Sequence, residues 1–171
     1  MKHGLLTLVL AFIVFSAGAV CLGQVVNPAK VKINGVGLDS TYAQVVRAIG
    51  KPASEEAPKA EECIGGREKT VTYPGLTLYM MDGDSRNKKT FEVKSFEVTS
   101  ARWVVSGIKV GDSEATVKRK FGHRKFRIED GPGAGEKRWV WDMSDPHGPG
   151  GTNVIFKDGR VVTIASYLLV C

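Results

Sequence analysis

The sequence is poor in residues that do chemistry. Its 171 residues hold three histidines and three cysteines. His3 belongs to the N-terminal leader, which leaves His123 and His147, each in a polar, Gly- or charge-rich setting. No Gly-x-Ser-x-Gly, His-Glu-x-x-His or Cys-x-x-Cys pattern is present. GAGEKR, residues 133–138, lacks the Gly-Lys-Ser/Thr ending that cradles phosphate. A distant Ser/His/Asp set exists in any protein of this size and indicates nothing. The expectation is a protein that is not an enzyme and uses no cofactor or metal, with a hydrolase as the weakest alternative.

Long apolar runs are also missing beyond the N-terminus. Lys2 and His3 precede an apolar run from Leu5 to Phe15, followed by the small residues of SAGAVCLGQ. Residues 1–23 therefore read as a secretory signal peptide, too short to span a bilayer. Cleavage after Ala19 or after Gly23 satisfies the small-residue rule. A lipoprotein is the alternative, with Cys21 acylated, although Val20 stands where such signals carry Gly, Ala or Ser. Membrane contact is expected only in that case. No later stretch approaches the ~20 apolar residues of a membrane helix. The expected location is periplasmic or secreted, with envelope anchoring as the variant.

Export decides the reading of the cysteines. Cleavage after Gly23 leaves Cys63 and Cys171, and one pair in an exported protein most simply forms one disulfide; two unpaired thiols are the alternative. The net charge is +6, and loss of Lys2 lowers it to +5. A moderately basic surface favours anionic partners weakly.

What the sequence does contain is a repetition. At an offset of 72, Gly35 meets Gly107, Val36 meets Ile108, Leu38 meets Val110, Ala43 meets Ala115, Val45 meets Val117, Arg47 meets Arg119 and Gly50 meets Gly122. Ser40 and Asp112 are candidate helix N-caps. Tyr42, Val45, Val46 and Ile49 form one apolar stripe; the second helix keeps only Val117 and Phe121. Gly50 and Gly122 sit where left-handed C-caps belong. Val45, Ile49, Val117 and Phe121 are expected in the core. Strand patterns follow each helix: Lys69–Tyr73, Leu76–Met80 and Phe91–Val98, then Arg138–Asp142, Asn153–Lys157 and Val161–Leu168. Asp158-Gly159 is a tight hairpin turn. MDGDSRNKK, GPGAG and DPHGPGG read as loops. The expected architecture is α+β: two tandem units, 24–100 and 101–171, each a short helix plus an antiparallel meander, with both helices on one face of a shared sheet.

The pattern of Gly, a Val-bearing helix and Gly-x-Pro, followed by a meander, resembles the SmpA/OmlA small outer-membrane lipoproteins. The tandem arrangement resembles β-lactamase inhibitor proteins. CIGGREKTVTYPGLTLYMMDGD and SGIKVGDSEATVKRKFG also resemble a bacterial family of secreted proteins of unassigned function. The resemblance covers nearly the whole mature chain and implies a binding or assembly module rather than an enzyme. The function expected is an exported protein-binding or inhibitor-like module, with an envelope assembly or structural lipoprotein as the alternative.

Three stretches are candidate sites. Lys118–Arg127 carries six Lys or Arg plus His123, with Phe121 and Phe126 interleaved. Export argues against nucleic acid, so Arg119, Arg124, Lys125 and Arg127 are assigned to an unknown acidic protein or anionic envelope surface. The bland alternative is a solvated helix end whose cations complement the dipole. Trp139 and Trp141 share one strand face with Lys137, either as core or as an exposed aromatic platform. Their alternation with Arg138, Val140 and Asp142 favours core. DGDSRN, residues 82–87, gathers oxygen ligands without EF-hand spacing and reads as a solvated loop.

Overall fold

Short runs of β-branched and aromatic residues, separated by tight turns, assemble into one antiparallel sheet. The structure is a computed structural model, and it describes residues 30–62, 65–82, 90–122, 125–145 and 148–168. Strands β1 (Ser54–Glu55), β2 (Lys59–Glu61), β3 (Gly66–Tyr73), β4 (Leu76–Met81) and β5 (Glu92–Val98) follow helix α1 (Tyr42–Ile49). After α2 (Glu114–Phe121) come β6 (Arg127–Asp130), β7 (Glu136–Asp145), β8 (Gly148–Lys157) and β9 (Arg160–Leu168). The order across the sheet is β1-β3-β4-β5-β9-β8-β7-β6, with β2 also pairing β3. Residues 95–98 of β5 meet Ile164–Tyr167 of β9 and join the two ends.

The α+β expectation is therefore corrected. The fold is mostly antiparallel sheet with two short helices, and the helices do not form a covering layer of tandem units. The reason is length. An eight-residue helix is about 12 Å long, and α1 buries only Val45 while α2 buries Val117 and Phe121. Ile49, expected in the core, is half-buried against it. The face is closed largely by two tight turns, Ile33–Val36 and Val105–Ile108, joined to each other by an Ile33–Val105 bridge. All four of these residues lie in the core. Asn34 and Gly35 have φ of 47° and 90°, and Ser106 and Gly107 have 48° and 86°. Positive φ at both central positions marks the type I′ hairpin turn, for which Asn-Gly is the strongest sequence signal.

Strand content exceeds the expectation for a second reason. β7 and β8 pair from Glu136–Lys157 out to Asp145–Gly148, so Gly148–Gly151 of the expected DPHGPGG loop is strand. Glycines there follow the ladder because residues 142–145 of β7 pair with them, which a composition rule does not see. The helix caps also move by one residue. Thr41 and Ser113 are the N-caps, accepting from Gln44 and Thr116 amides. Ser40 and Asp112 instead accept from the amides of Gly37 and Lys109, closing the preceding turns. Gly50 and Gly122 do take positive φ, but with ψ of −174° and −146°, which is not the left-handed helical cap.

Candidate functional site

The basic cluster is built from the end of α2 and the start of β6. Phe121 turns into the core and meets Trp141 at 4.7 Å between centroids. Phe126 then stacks on Trp139 at 4.6 Å and fixes the connection against the sheet. Trp139 also meets Phe156 at 4.7 Å. Trp139 and Trp141 are thus buried core residues and offer no exposed platform. The Trp141 indole N–H is buried with no hydrogen-bond partner among the described residues.

Between the two anchored phenylalanines, Lys125 is exposed. Lys118, Lys125 and Arg127 line a cavity of about 640 Å³, with Phe126, Val140 and Asp142 completing its wall. Arg127 is not a free charge. Its Nε and Nη2 donate to Asp142 at 3.1 and 2.9 Å, and its Nη1 donates to Glu129 at 2.6 Å. Asp142, then Glu129, hold the guanidinium more firmly protonated than an ordinary arginine. Glu129 also accepts from Arg138 at 2.6 Å, so four charged groups form one compensated row across β6 and β7. Lys118 and Lys125 are exposed and have no carboxylate partner among the described residues. Arg119 is exposed but does not line the cavity. Lys118, Arg119 and Lys120 occupy the last turn of α2, where cations complement the helix dipole. Arg124 lies outside the described residues, as do Cys63, Cys171 and the 83–87 part of DGDSRN.

A second ionic cluster, at the α1 end, escaped sequence reasoning. Lys69, on β3, donates to Glu55 at 2.8 Å and lies 3.7 Å from the centroid of the Tyr42 ring. The Tyr42 hydroxyl donates to the same carboxylate. That hydrogen bond, with burial and the Glu55 charge, pushes Tyr42 up to about 12. Lys69, then Tyr42, hold Glu55 below the usual carboxylate range. Nearby, Lys94 donates to Asp39 at 2.7 Å and Glu92 at 3.2 Å. Burial pulls Lys94 down, but the two carboxylates outweigh it and its pKa is raised. Lys94 is the extra residue of a bulge between the Tyr79–Ser95 and Met80–Val93 pairs. A signal existed: the apolar residues of FEVKSFEV fall at 91, 93, 96 and 98, and the period-2 phase breaks across Lys94. No group of three or more metal-ligating side chains is present among the described residues.

No family model, curated protein or solved structure matches this chain.

Proposed function

We propose that this protein is an exported, non-catalytic binding module whose acidic protein partner seats in the groove between α2 and β6. One observation carries the reading. Two exposed lysines, Lys118 and Lys125, face one cavity beside Phe126 and Val140, while Arg127 is already held by its own carboxylates. Free ammonium groups beside an apolar wall suit a protein face carrying Asp or Glu next to apolar residues. Elsewhere the cations of Lys59, Arg67, Lys69, Lys94 and Arg138 are engaged in ion pairs. Those pairs serve the sheet rather than a reaction. The resemblance to small exported binding proteins supports the same reading, and the leader-like residues 1–23 support export.

The test is affinity capture with the mature chain as bait, from envelope extract and culture fluid, beside a Lys118→Glu/Lys125→Glu variant. A partner should be retained by the parent and lost from the variant. Retention should weaken with salt, because exposed charges are screened over about 8 Å at physiological ionic strength. Both chains should melt alike, since surface changes usually stay within about 0.5 kcal/mol. A partner held equally by both chains at low and high salt removes the groove from the account.

A further inference from the structure

The two edges of the sheet are finished differently. On one side, the outer edge of β3 is covered by β1 at Val71–Thr72 and by β2 at Gly66–Glu68. On the other side, β6 pairs with β7 alone and ends the strand order. Its hydrogen-bond phase follows from the adjoining turn. The Gly131 amide donates to the Glu136 carbonyl at 2.9 Å. In an antiparallel ladder, bonded and non-bonded pairs alternate. Arg127–Val140 and Glu129–Arg138 are then the bonded pairs, and Ile128 and Asp130 turn their backbone N–H and C=O groups outward.

Two further features mark this edge. Ile128 is 63% exposed, the most exposed large hydrophobic residue among those described. Charged side chains normally guard an edge strand against pairing. Here Arg127 and Glu129 are tied back to Asp142 and Arg138, so an arriving strand meets a row already compensated within the sheet. Asp130, at the far end of β6, is an exposed carboxylate with no ion pair among the described residues, while the cations Lys125 and Lys118 stand beside the Arg127 end.

We infer that the acidic partner enters as an extended strand, paired along the outer edge of β6 with its carboxylates toward Lys118 and Lys125. This rests on the groove reading above and adds backbone pairing to it. Main-chain bonds to Ile128 and Asp130 give affinity in such strand addition, and side chains alternate between the two faces. Apolar side chains of the incoming strand meet Ile128, and acidic ones meet the lysines.

The probe is a ten-residue labelled peptide alternating Glu and Val, titrated against the full mature chain. A second peptide has the same sequence with four consecutive central amides N-methylated, which keeps the charge and removes the backbone donors. The parent should bind the first peptide and bind the methylated one at least about tenfold more weakly, equivalent to about 1.4 kcal/mol. Ile128→Pro removes an outward donor without breaking a β7 bond, so it should fold, as checked by circular dichroism, and lose the peptide. Lys118→Glu/Lys125→Glu should also lose it. Equal binding of both peptides, lost on charge reversal, overturns strand addition and leaves the groove reading standing. Binding untouched by charge reversal overturns both. No binding of the unmethylated peptide at millimolar concentration overturns strand addition alone.

Discussion

The α1 and α2 ends of the sheet share a backbone and differ in what fills it. Helices 42–49 and 114–121 are each capped by a hydroxyl residue. Asp39 and Ser40 bond to Val93 as Gly111 and Asp112 bond to Val161. Each end carries one bulge, leaving out Lys94 in one and Val162 in the other. The contents then diverge. Lys94 with Asp39 and Glu92 stands where the α2 end has Val162, Gly111 and Arg160. Val71 and Tyr73 stand where that end has Trp139 and Trp141. Ile49 is replaced by Phe121. Both ends carry ion pairs on the sheet, but only the α1 end ties a nearly buried lysine to two carboxylates beside its helix, and only the α2 end stacks tryptophans and phenylalanines under its own. The lesson is that turns, caps and bulges set this backbone, while core and rim residues differ wholesale between its two ends.

The largest effect should therefore come from the aromatic end. Phe121 is 1% exposed and packs against Trp141. Phe121→Ala should cost about 3–5 kcal/mol. Val45→Ala, at the one residue that α1 buries fully, removes two methyl groups and should cost roughly 2 kcal/mol. Urea denaturation of both variants measures the gap. Equal losses would mean that the aromatic cluster is not what holds the α2 end.

The ionic end should respond next. Lys94→Met removes the cation between Asp39 and Glu92 while keeping most of the stem. Loss of the two charge-assisted hydrogen bonds that Lys94 donates should cost about 1–3 kcal/mol. A variant as stable as the parent would make the Lys94 cluster ornamental, and its backbone bulge would then stand on its own, as the Val162 bulge does.

A third pair of substitutions tests what the ends have in common. Gly35→Ala and Gly107→Ala both force an alanine into positive φ, at 90° and 86°. A Cβ at Gly35 meets nothing within 4 Å, and one at Gly107 comes within 3.4 Å only of the flexible Lys120 side chain. Each should cost about 1–2 kcal/mol, the penalty of a left-handed conformation. Thermal melts with unequal shifts would show that the two crossing turns do not bear on the core alike.

These comparisons also show what the sequence could convey. Both helices, all six of the longer strands and the Asp158-Gly159 turn follow from local periodicity and turn chemistry. Val45, Val117, Phe121 and both tryptophans were legible as core because their spacing puts them on one face. The overall class was not legible, because two-turn helices look the same in sequence whether they cover a sheet or merely plug its end. β1, β2 and β6 were missed because runs of two to four mostly polar residues are too short to carry a period; a neighbouring strand defines them. The basic groove was half legible. Charge density pointed to Lys125 and Arg127, but only the fold pairs Arg127 with Asp142, fifteen residues away. Lys118, counted in the basic run but not among its assigned binding residues, lines the groove together with Gly122.

The smallest expected effect is a pH dependence confined to the α1 end. Glu55 is held below its ordinary value by Lys69 and Tyr42. A carboxylate so held adds stability above its unfolded value, near 4.5, and loses that contribution as the pH falls through the lower folded value. Tyr42 works in the opposite sense. Its raised value means that the folded protein keeps the phenol protonated more tightly, so its contribution is complete below 10 and disappears as the pH rises toward about 12. Glu55 is one-third exposed, so the pair should be worth less than about 1 kcal/mol. Other carboxylates also titrate in acid, so the parent curve alone does not isolate Glu55. The difference between the parent and Glu55→Gln does. Urea midpoints from pH 3 to 8 should show the parent more stable at neutral pH and the two converging toward pH 3. Tyr42→Phe should shrink the gap, because the carboxylate then keeps only Lys69. Parallel curves across that range would mean that Glu55 titrates alike in the folded and unfolded chains. The ionic rim would then be a solvent-screened feature, and the two ends would differ in their aromatic packing alone.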